Sequence, residues 1–321
     1  MKIHRDIHAL PEFRNAVVTI GTFDGVHGGH QQILLKMKKE AERIGGETVL
    51  ITFDPHPRQI VASADQPVRL INTLEERAYL LQKQGLDHLV IVPFTKAFAA
   101  ISAQTYVEEF LIRYFHPHTL IIGYDHRFGS SRSGDYKLLE KYKEKGSFQL
   151  MEIPSLLIQE ASVSSTRIRK ALSAGHITTA NELLGYPFFF EAIVVPGNQN
   201  GRTLGYPTAN LHINNPLKML PAPGVYAVKV YRLFQDKLDP ETVNESYYGM
   251  MNSGIRPTLG GTTLVTEVHL FHFDGDLYGH RLMVECYERV RDEQRFPGLD
   301  ALKKQLDLDA SFCLRYFQKA R

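Results

Sequence analysis

Short runs of β-branched and apolar residues recur along the first half of the chain, each parted from the next by a stretch with helical spacing. Ala16–Gly21, Glu47–Phe53, His88–Pro93, Thr119–Gly123 and Phe148–Ile153 predict five strands. Between them, Ile33, Leu34, Met37, Ala41 and Ile44 fall on one helical face, Thr73-Leu74-Glu75-Glu76 is a capping box, and Tyr106–Phe115 and Asp135–Lys145 predict two more helices. Strands this apolar, alternating with helices, imply a parallel sheet covered on both faces. Such a doubly wound sheet binds its ligand at the carboxyl ends of its strands. After Leu184-Gly185-Tyr186-Pro187 the spacing changes. Phe188–Val195, Val225–Leu233, Tyr247–Met251, Leu264–Phe273 and Leu282–Val290 are strand-like runs parted by Gly, Pro and Asn, and a helix follows from Leu299. Clustered strands without crossover helices suggest an antiparallel barrel. The expected organisation is an α/β domain over 1–185 followed by a barrel with terminal helices over 186–321, with the boundary between residues 174 and 187.

At roughly 150 residues per domain, the 321 residues suit two domains. With 43% hydrophobic and 22% charged residues, a wholly disordered chain is excluded. Lys+Arg 37 against Asp+Glu 35 gives a formal charge of +2, which opposes a bulk nucleic-acid or membrane-surface role. Cys286 and Cys313 have no short spacing, so they make neither a disulfide framework nor a zinc site and are expected as buried small hydrophobes. No apolar run approaches the ~20 residues that span a bilayer. The polar N-terminus MKIHRDIHALPEF does not read as a signal peptide, so a cytoplasmic protein is expected.

Gly21-Thr22-Phe23-Asp24-Gly25-Val26-His27-Gly28-Gly29-His30 follows the first strand and opens the first helix. Glycines allow close backbone approach to a ligand, and a helix N-terminus with two histidines three apart suits phosphate. It is neither a P-loop nor a dinucleotide fingerprint. The plainer alternative is a glycine-rich turn with solvent-facing histidines. Ser164-Ser165-Thr166-Arg167-Ile168-Arg169-Lys170 sets hydroxyls at a predicted N-cap and cations on the first turn, where the helix dipole disfavours them unless an anion is bound. A capped surface helix is its alternative. Gly123-Tyr124-Asp125-His126-Arg127-Phe128-Gly129 follows the fourth strand on the same sheet edge, as a site or as a polar loop. In the second half, Gly201-Arg202-Thr203-Leu204-Gly205-Tyr206-Pro207-Thr208-Ala209-Asn210 places Thr208 and Asn210 on one face of a strand. Their oxygens are hard donors suited to Mg²⁺, unless this is a Pro-Thr turn with an exposed Asn. Glu267 sits on an otherwise apolar strand and shares a face with His269 and Phe271, as a surface residue or a general base.

The segments GTFDGVHGGH, FDPHP (Phe53–Pro57), GYDHRFG and VSSTRIR (Val163–Arg169) resemble the adenylyltransferase domain of bacterial bifunctional riboflavin kinase/FAD synthetases. That domain is a Rossmann-like nucleotidyltransferase with an HxGH-type signature, here His27-x-x-His30. One departure is His126, where an aromatic Phe is common. The resemblance implies transfer of AMP from ATP to FMN, releasing pyrophosphate. His27 and His30 would donate to the α-phosphate. Gly21, Thr22, Phe23, Asp24 and Gly25 would form the nucleotide turn. Arg169, with Ser164, Ser165 and Thr166, would hold the departing phosphates, Asp125 and Arg127 would help seat nucleotide or flavin, and Mg²⁺ would screen the phosphates.

The string GRTLGYPTAN resembles the GRxLGFPTAN motif of riboflavin kinases, with Tyr206 in place of Phe. It implies that Gly201, Arg202 and Thr203 meet ATP, that Thr208 and Asn210 hold Mg²⁺, and that Glu267 accepts the proton of the ribityl 5′-hydroxyl. Gly249–Thr258 and Glu288–Phe296 look like further family segments, with Arg291 and Phe296 as flavin contacts. Pro196 and Asn198–Asn200 depart from the His-Gly and basic residues common in the family. The resemblance runs from about residue 14 to 318. It implies one polypeptide with two active sites: a barrel that phosphorylates riboflavin to FMN and an α/β domain that adenylylates FMN to FAD. Its partners would be flavins and ATP, not nucleic acid or membrane; the oligomeric state is left open. Two other readings are an adenylyltransferase for another phosphate ester, with the barrel as a flavin sensor, and a nucleic-acid-binding protein, which the balanced charge opposes.

Overall fold

The computed structural model describes residues 1–61, 68–123, 126–153, 163–197, 201, 204–234, 238, 245–258 and 261–319, with the side chains of 256–258 and 261–263 outside that description. The chain divides into two compact units, Met1–Val68 with Arg77–Ser164, and Arg69–Glu76 with Ser165–Arg321.

The first unit is built on six parallel strands: β1 (Lys2–His4), β2 (Val17–Ile20), β3 (Thr48–Asp54), β4 (His88–Pro93), β5 (Thr119–Gly123) and β6 (Gln149–Ile153). Every residue of β2 is buried, as is all but the last of β3 and of β4, which is why these strands read as continuous apolar runs. The order is β1-β4-β3-β2-β5-β6. From β2 the chain builds outward through β3 and β4, then returns to lay β5 against the other side of β2. The carboxyl ends of β2 and β5 therefore flank the point where the winding reverses, which is where open α/β sheets bind ligands. The short edge strand β1 has no legible sequence signal, since KIH is too short and polar to show one. The stretch Tyr106–Ile112, predicted as an ordinary helix, winds as a π-helix that buries Tyr106, Val107, Phe110 and Leu111.

The second unit is a closed antiparallel barrel in the order β10-β11-β8-β7-β12-β9. Its strands are β7 (Phe188–Val195), β8 (Ala209–His212), β9 (Gly224–Leu233), β10 (Ser246–Thr258), β11 (Gly261–Leu270) and β12 (Arg281–Arg291). Closure removes the unpaired edges that an open sheet would expose. Along β11 Thr266, Val268 and Leu270 are buried in the barrel, while Glu267 and His269 lie on the outer face. Helix Leu299–Lys319 lays Ala310, Cys313 and Phe317 against Val225, Ala227 and Met250 of that outer face. Both cysteines are buried and unpaired with each other. β10 runs seven residues past its predicted end at Met251, because its far half pairs with β11 in one long hairpin, Thr258 opposite Gly261.

Helices Ser165–Ser173 and Ile177–Leu184 belong to this second unit, as does the short segment Arg69–Glu76. The segment carries the predicted capping box: Thr73 N–H donates to Glu76 Oε2 at 2.9 Å and Glu76 N–H to Thr73 Oγ1 at 3.2 Å. The same Glu76 carboxylate accepts from Lys218 Nζ at 2.5 Å, with both side chains fully buried. Lys218 places its other two donors on the carbonyls of Ile71 (2.6 Å) and Phe189 (2.7 Å), so the three N–H groups of a buried ammonium are all used.

Candidate active sites

The glycine-rich turn lies at the carboxyl end of β2, beside the point of winding reversal. Its backbone is unusual: Phe23 and Val26 have φ of 47° and 34°, with Gly25 at 95° between them. A β-branched residue in the left-handed region is strained, and such strain is kept where surrounding structure over-determines the turn. Helix Gly28–Ile44 starts at the N-cap residue His27, whose side chain makes no capping hydrogen bond. The His27 and His30 rings stack with centroids 3.7 Å apart, and Phe23 stacks on the other side of His30 at 4.5 Å. His27 and Asp24 are buried and His30 is half-buried, so the pair is largely turned into the fold. Burial, then the neighbouring His27, then the Arg77 guanidinium hold His30 well below the usual imidazole range. His30 is thus a neutral imidazole at pH 7 and can donate from one ring nitrogen. Gly28 has open space where a Cβ would stand, leaving the helix start accessible to a ligand.

Sequence reading missed Arg77. The residue follows a capping box, where a cation reads as surface, yet its side chain is buried. Its Nη1 donates to the carbonyl of Thr22 in the turn and, at 3.2 Å, to Thr52 Oγ1 on β3. Thr52 Oγ1 also reaches Thr22 O at 3.4 Å.

The other predicted residues of this site lie on other elements. Asp125 lies outside the described residues. Arg127 pairs with Asp135 at 3.0 Å, at the start of helix Tyr136–Glu144. Ser164 ends the first unit, whereas Ser165, Thr166 and Arg169 begin a helix of the second, where Arg169 Nε donates to the carbonyl of Arg69 at 2.8 Å.

On the barrel, Glu267 is opposite Asn210 of β8 and opposite Asn252 of β10. Directly opposed residues of an antiparallel pair project to one face, so the carboxylate stands between two amides. Thr208 Oγ1 donates to Glu267 Oε2 at 3.4 Å. The fold brings together Thr208, Asn210 and Glu267, and adds Asn252, whose role only strand register reveals. His269 and Phe271 share this face, their rings 5.6 Å apart, and Tyr206 packs on His269 at 5.1 Å. Tyr206 donates to Asp307 of helix Leu299–Lys319 at 2.6 Å; burial, then that bond, push its hydroxyl up to about 12. Arg291 makes a forked pair with buried Asp309 on the same helix, Nε at 3.0 and 2.9 Å and Nη2 at 2.7 Å. Its guanidinium lies 5.6 Å from the Phe296 ring centroid. Arg291 and Phe296 therefore meet each other, with Arg291 fastening the helix to β12. Gly201 is described, while Arg202 and Thr203 lie outside the described residues.

A histidine pair at the head of a doubly wound sheet, and oxygen donors around a carboxylate on a barrel, define a two-unit nucleotide-dependent transferase in class. Comparison with known proteins narrows the class. The family model for FAD synthetase matches residues 10–167 and that for riboflavin kinase matches residues 184–317. The bifunctional riboflavin kinase/FMN adenylyltransferase of Escherichia coli K12 is 35% identical over 99% of this chain and 98% of its own length. That of Bacillus subtilis 168 is 34% identical over 97% and 95%. The chain belongs to the family of bifunctional riboflavin kinase/FMN adenylyltransferases. A solved structure described as a macrolide-efflux protein from Streptococcus pneumoniae is also similar, with a TM-score of 0.83, 29% identity and 97% of each chain covered. Among the described residues no helix is long and apolar enough to cross a membrane.

Proposed function

We propose that the two reactions of the family are divided between the two sites as the residues suggest, with FMN adenylylated at the His27/His30 turn and riboflavin phosphorylated at Glu267. The observation that carries this reading is the meeting of Thr208 and Asn210 with Glu267 on one outer face of the barrel, from two stretches of sequence more than fifty residues apart. At the turn no protein nucleophile is needed. The FMN phosphate attacks the α-phosphorus of ATP in line, and the turn positions the anion and stabilises developing charge. His27 and His30 donate to the α-phosphate, and the Gly21–Gly25 turn seats the nucleotide. Ser164, Ser165, Thr166 and Arg169 take the departing pyrophosphate, and Asp125 and Arg127 help seat nucleotide or flavin, as the likeness of VSSTRIR and GYDHRFG to the family's segments suggests.

On the barrel, Glu267 accepts the proton of the ribityl 5′-hydroxyl as that oxygen attacks the γ-phosphorus. Thr208 and Asn210 offer hydroxyl and amide oxygens beside that carboxylate, a donor set that fits Mg²⁺. When bound, Mg²⁺ neutralises charge on the phosphates. Gly201, Arg202 and Thr203 are assigned to ATP and Arg291 and Phe296 to the flavin, Arg291 through the helix it holds. We place the enzyme in the cytoplasm, where ATP and flavins are at hand, with no nucleic-acid or membrane partner. Incubation with riboflavin, ATP and Mg²⁺, followed by chromatography, should show FMN and then FAD. FMN without FAD would leave the adenylylation assignment unsupported.

A further inference from the structure

We propose that Arg77 and Thr52 are positioning residues for the adenylyl transfer: they clamp the Thr22 carbonyl so that the Thr22–Phe23 peptide presents its N–H to the nucleotide. This rests on the assignment of that reaction to the His27/His30 turn.

The clamp has two donors on one acceptor. Arg77 Nη1 and Thr52 Oγ1 both reach Thr22 O, and Arg77 Nη1 also reaches Thr52 Oγ1 at 3.2 Å. Arg77 and Thr52 are buried, at 3% and 0% exposure, so this geometry is not averaged by solvent. In a trans peptide the C=O and N–H point in opposite directions. Fixing the Thr22 carbonyl toward β3 and Arg77 therefore turns the Phe23 N–H to the other side of the turn. The left-handed φ of Phe23 and Val26 shows that this turn is held against its own preference. A guanidinium suits the task because it stays charged and donates along fixed directions, whereas a lysine is a point charge on a flexible stem.

Arg77 also acts on His30 through space. The groups that shift the His30 ring are His27, from its own turn, and Arg77, from helix Leu74–Lys83, with buried Asp24 the other charge in the turn. A nearby cation disfavours the imidazolium, so removing it lets His30 take a proton at higher pH. With neutral His30 as the donor, the acid limb of FAD synthesis moves upward in Arg77→Met and stays in place in Arg77→Lys.

The test uses the full-length enzyme, with FMN formation as an internal measure of folding. Arg77→Met should lower kcat for FAD formation by ~10²-fold, since misplacement of about 1 Å can cost that much. KM for ATP should change less, and FMN formation should be unaffected. Arg77→Lys should restore part of the loss. Thr52→Val, close in shape, should lower kcat by about 10-fold, in keeping with one lost hydrogen bond of about 1.4 kcal/mol. Equal losses in FMN and FAD formation, or a kcat loss with an unmoved acid limb in Arg77→Met, would mean a structural role only. Should Arg77→Met fail to fold, normal kcat in Thr52→Val overturns the clamp. His30→Ala run alongside separates the two ideas. If it leaves FAD formation intact, the site assignment itself is wrong; if it abolishes FAD formation while Arg77→Met and Thr52→Val are normal, only the clamp is.

Discussion

His30 shows how a residue's surroundings set its chemistry. Stacked between Phe23 and His27 and half-buried, it is held as a neutral donor. Replacing it with Ala removes one transition-state donor, which typically costs ~10²–10³ in rate. FAD formation should fall by about that factor while FMN formation persists, and an equal fall in both would point to misfolding. The same shift has a consequence for stability. A histidine whose folded pKa lies below its unfolded value of 6.5 binds its proton more readily in the unfolded chain. Stability should therefore be intact above pH 6.5 and decline as pH falls below it. Denaturant titrations at about pH 7.5 and about pH 5.5 should show a shallower decline in His30→Asn than in the parent. Glu267 offers the matching test in the barrel. Glu267→Gln keeps shape and reach but removes the base, so riboflavin phosphorylation should drop by ~10²–10⁴ with flavin affinity retained. Near-normal turnover would return Glu267 to a surface role. Of these residues, the histidines and Glu267 are legible in the sequence because their spacing and setting are unusual. Arg77, Asn252 and Asp309 are not, because a cation after a capping box, an Asn in a strand and an Asp on a helix all look like ordinary surface residues until burial or register is known.

At the scale of elements, the capping box at Thr73–Glu76 has a second task. A carboxylate that caps a helix is usually exposed, but Glu76 is fully buried because it also pairs with Lys218. Glu76→Gln leaves the ammonium in an apolar site, within 4.7 Å of the Phe188 ring centroid, with no counter-charge. Breaking a buried pair from one side costs about 3–5 kcal/mol. Glu76→Gln should lower the unfolding free energy of the second unit by that amount, read from denaturant melts, whereas a change under about 1 kcal/mol would mean that Lys218 loses its proton or finds water. The strands were readable from their alternating or continuous apolar patterns, and β4, β5 and β7 fall at the predicted residues. The edge strand β1 and the far half of β10 were not, since pairing across space, not composition, makes them strands. The π-helix was equally hidden, because Tyr106–Ile112 has ordinary helical spacing.

For the whole molecule, the two units imply separable activities, but not a clean cut in sequence. Residues 1–185 alone should convert FMN and ATP to FAD, and residues 186–321 should convert riboflavin only to FMN. The structure adds a penalty to the second fragment. It lacks Arg69–Glu76 and the helices Ser165–Ser173 and Ile177–Leu184, so Lys218 loses both Glu76 and the Ile71 carbonyl, Cys286 O and Phe188 N–H lose Asn181, and the fragment should melt earlier than the same unit in the full chain. Adding residues 69–76 as a peptide should raise its melting temperature; FAD made by the barrel fragment unaided would overturn the division of chemistry. The sequence by itself determined the two architectures, the order of the domains and the two motif sets, because hydrophobic period and motif spacing are local properties of the chain. Only the tertiary structure decided which side chains meet: that Glu267 stands between Asn210 and Asn252, that Arg77 reaches back to Thr22, and that Arg69–Glu76 packs with the barrel. These depend on strand register, closure and burial, which bring together residues far apart in sequence and carry no mark in any one segment.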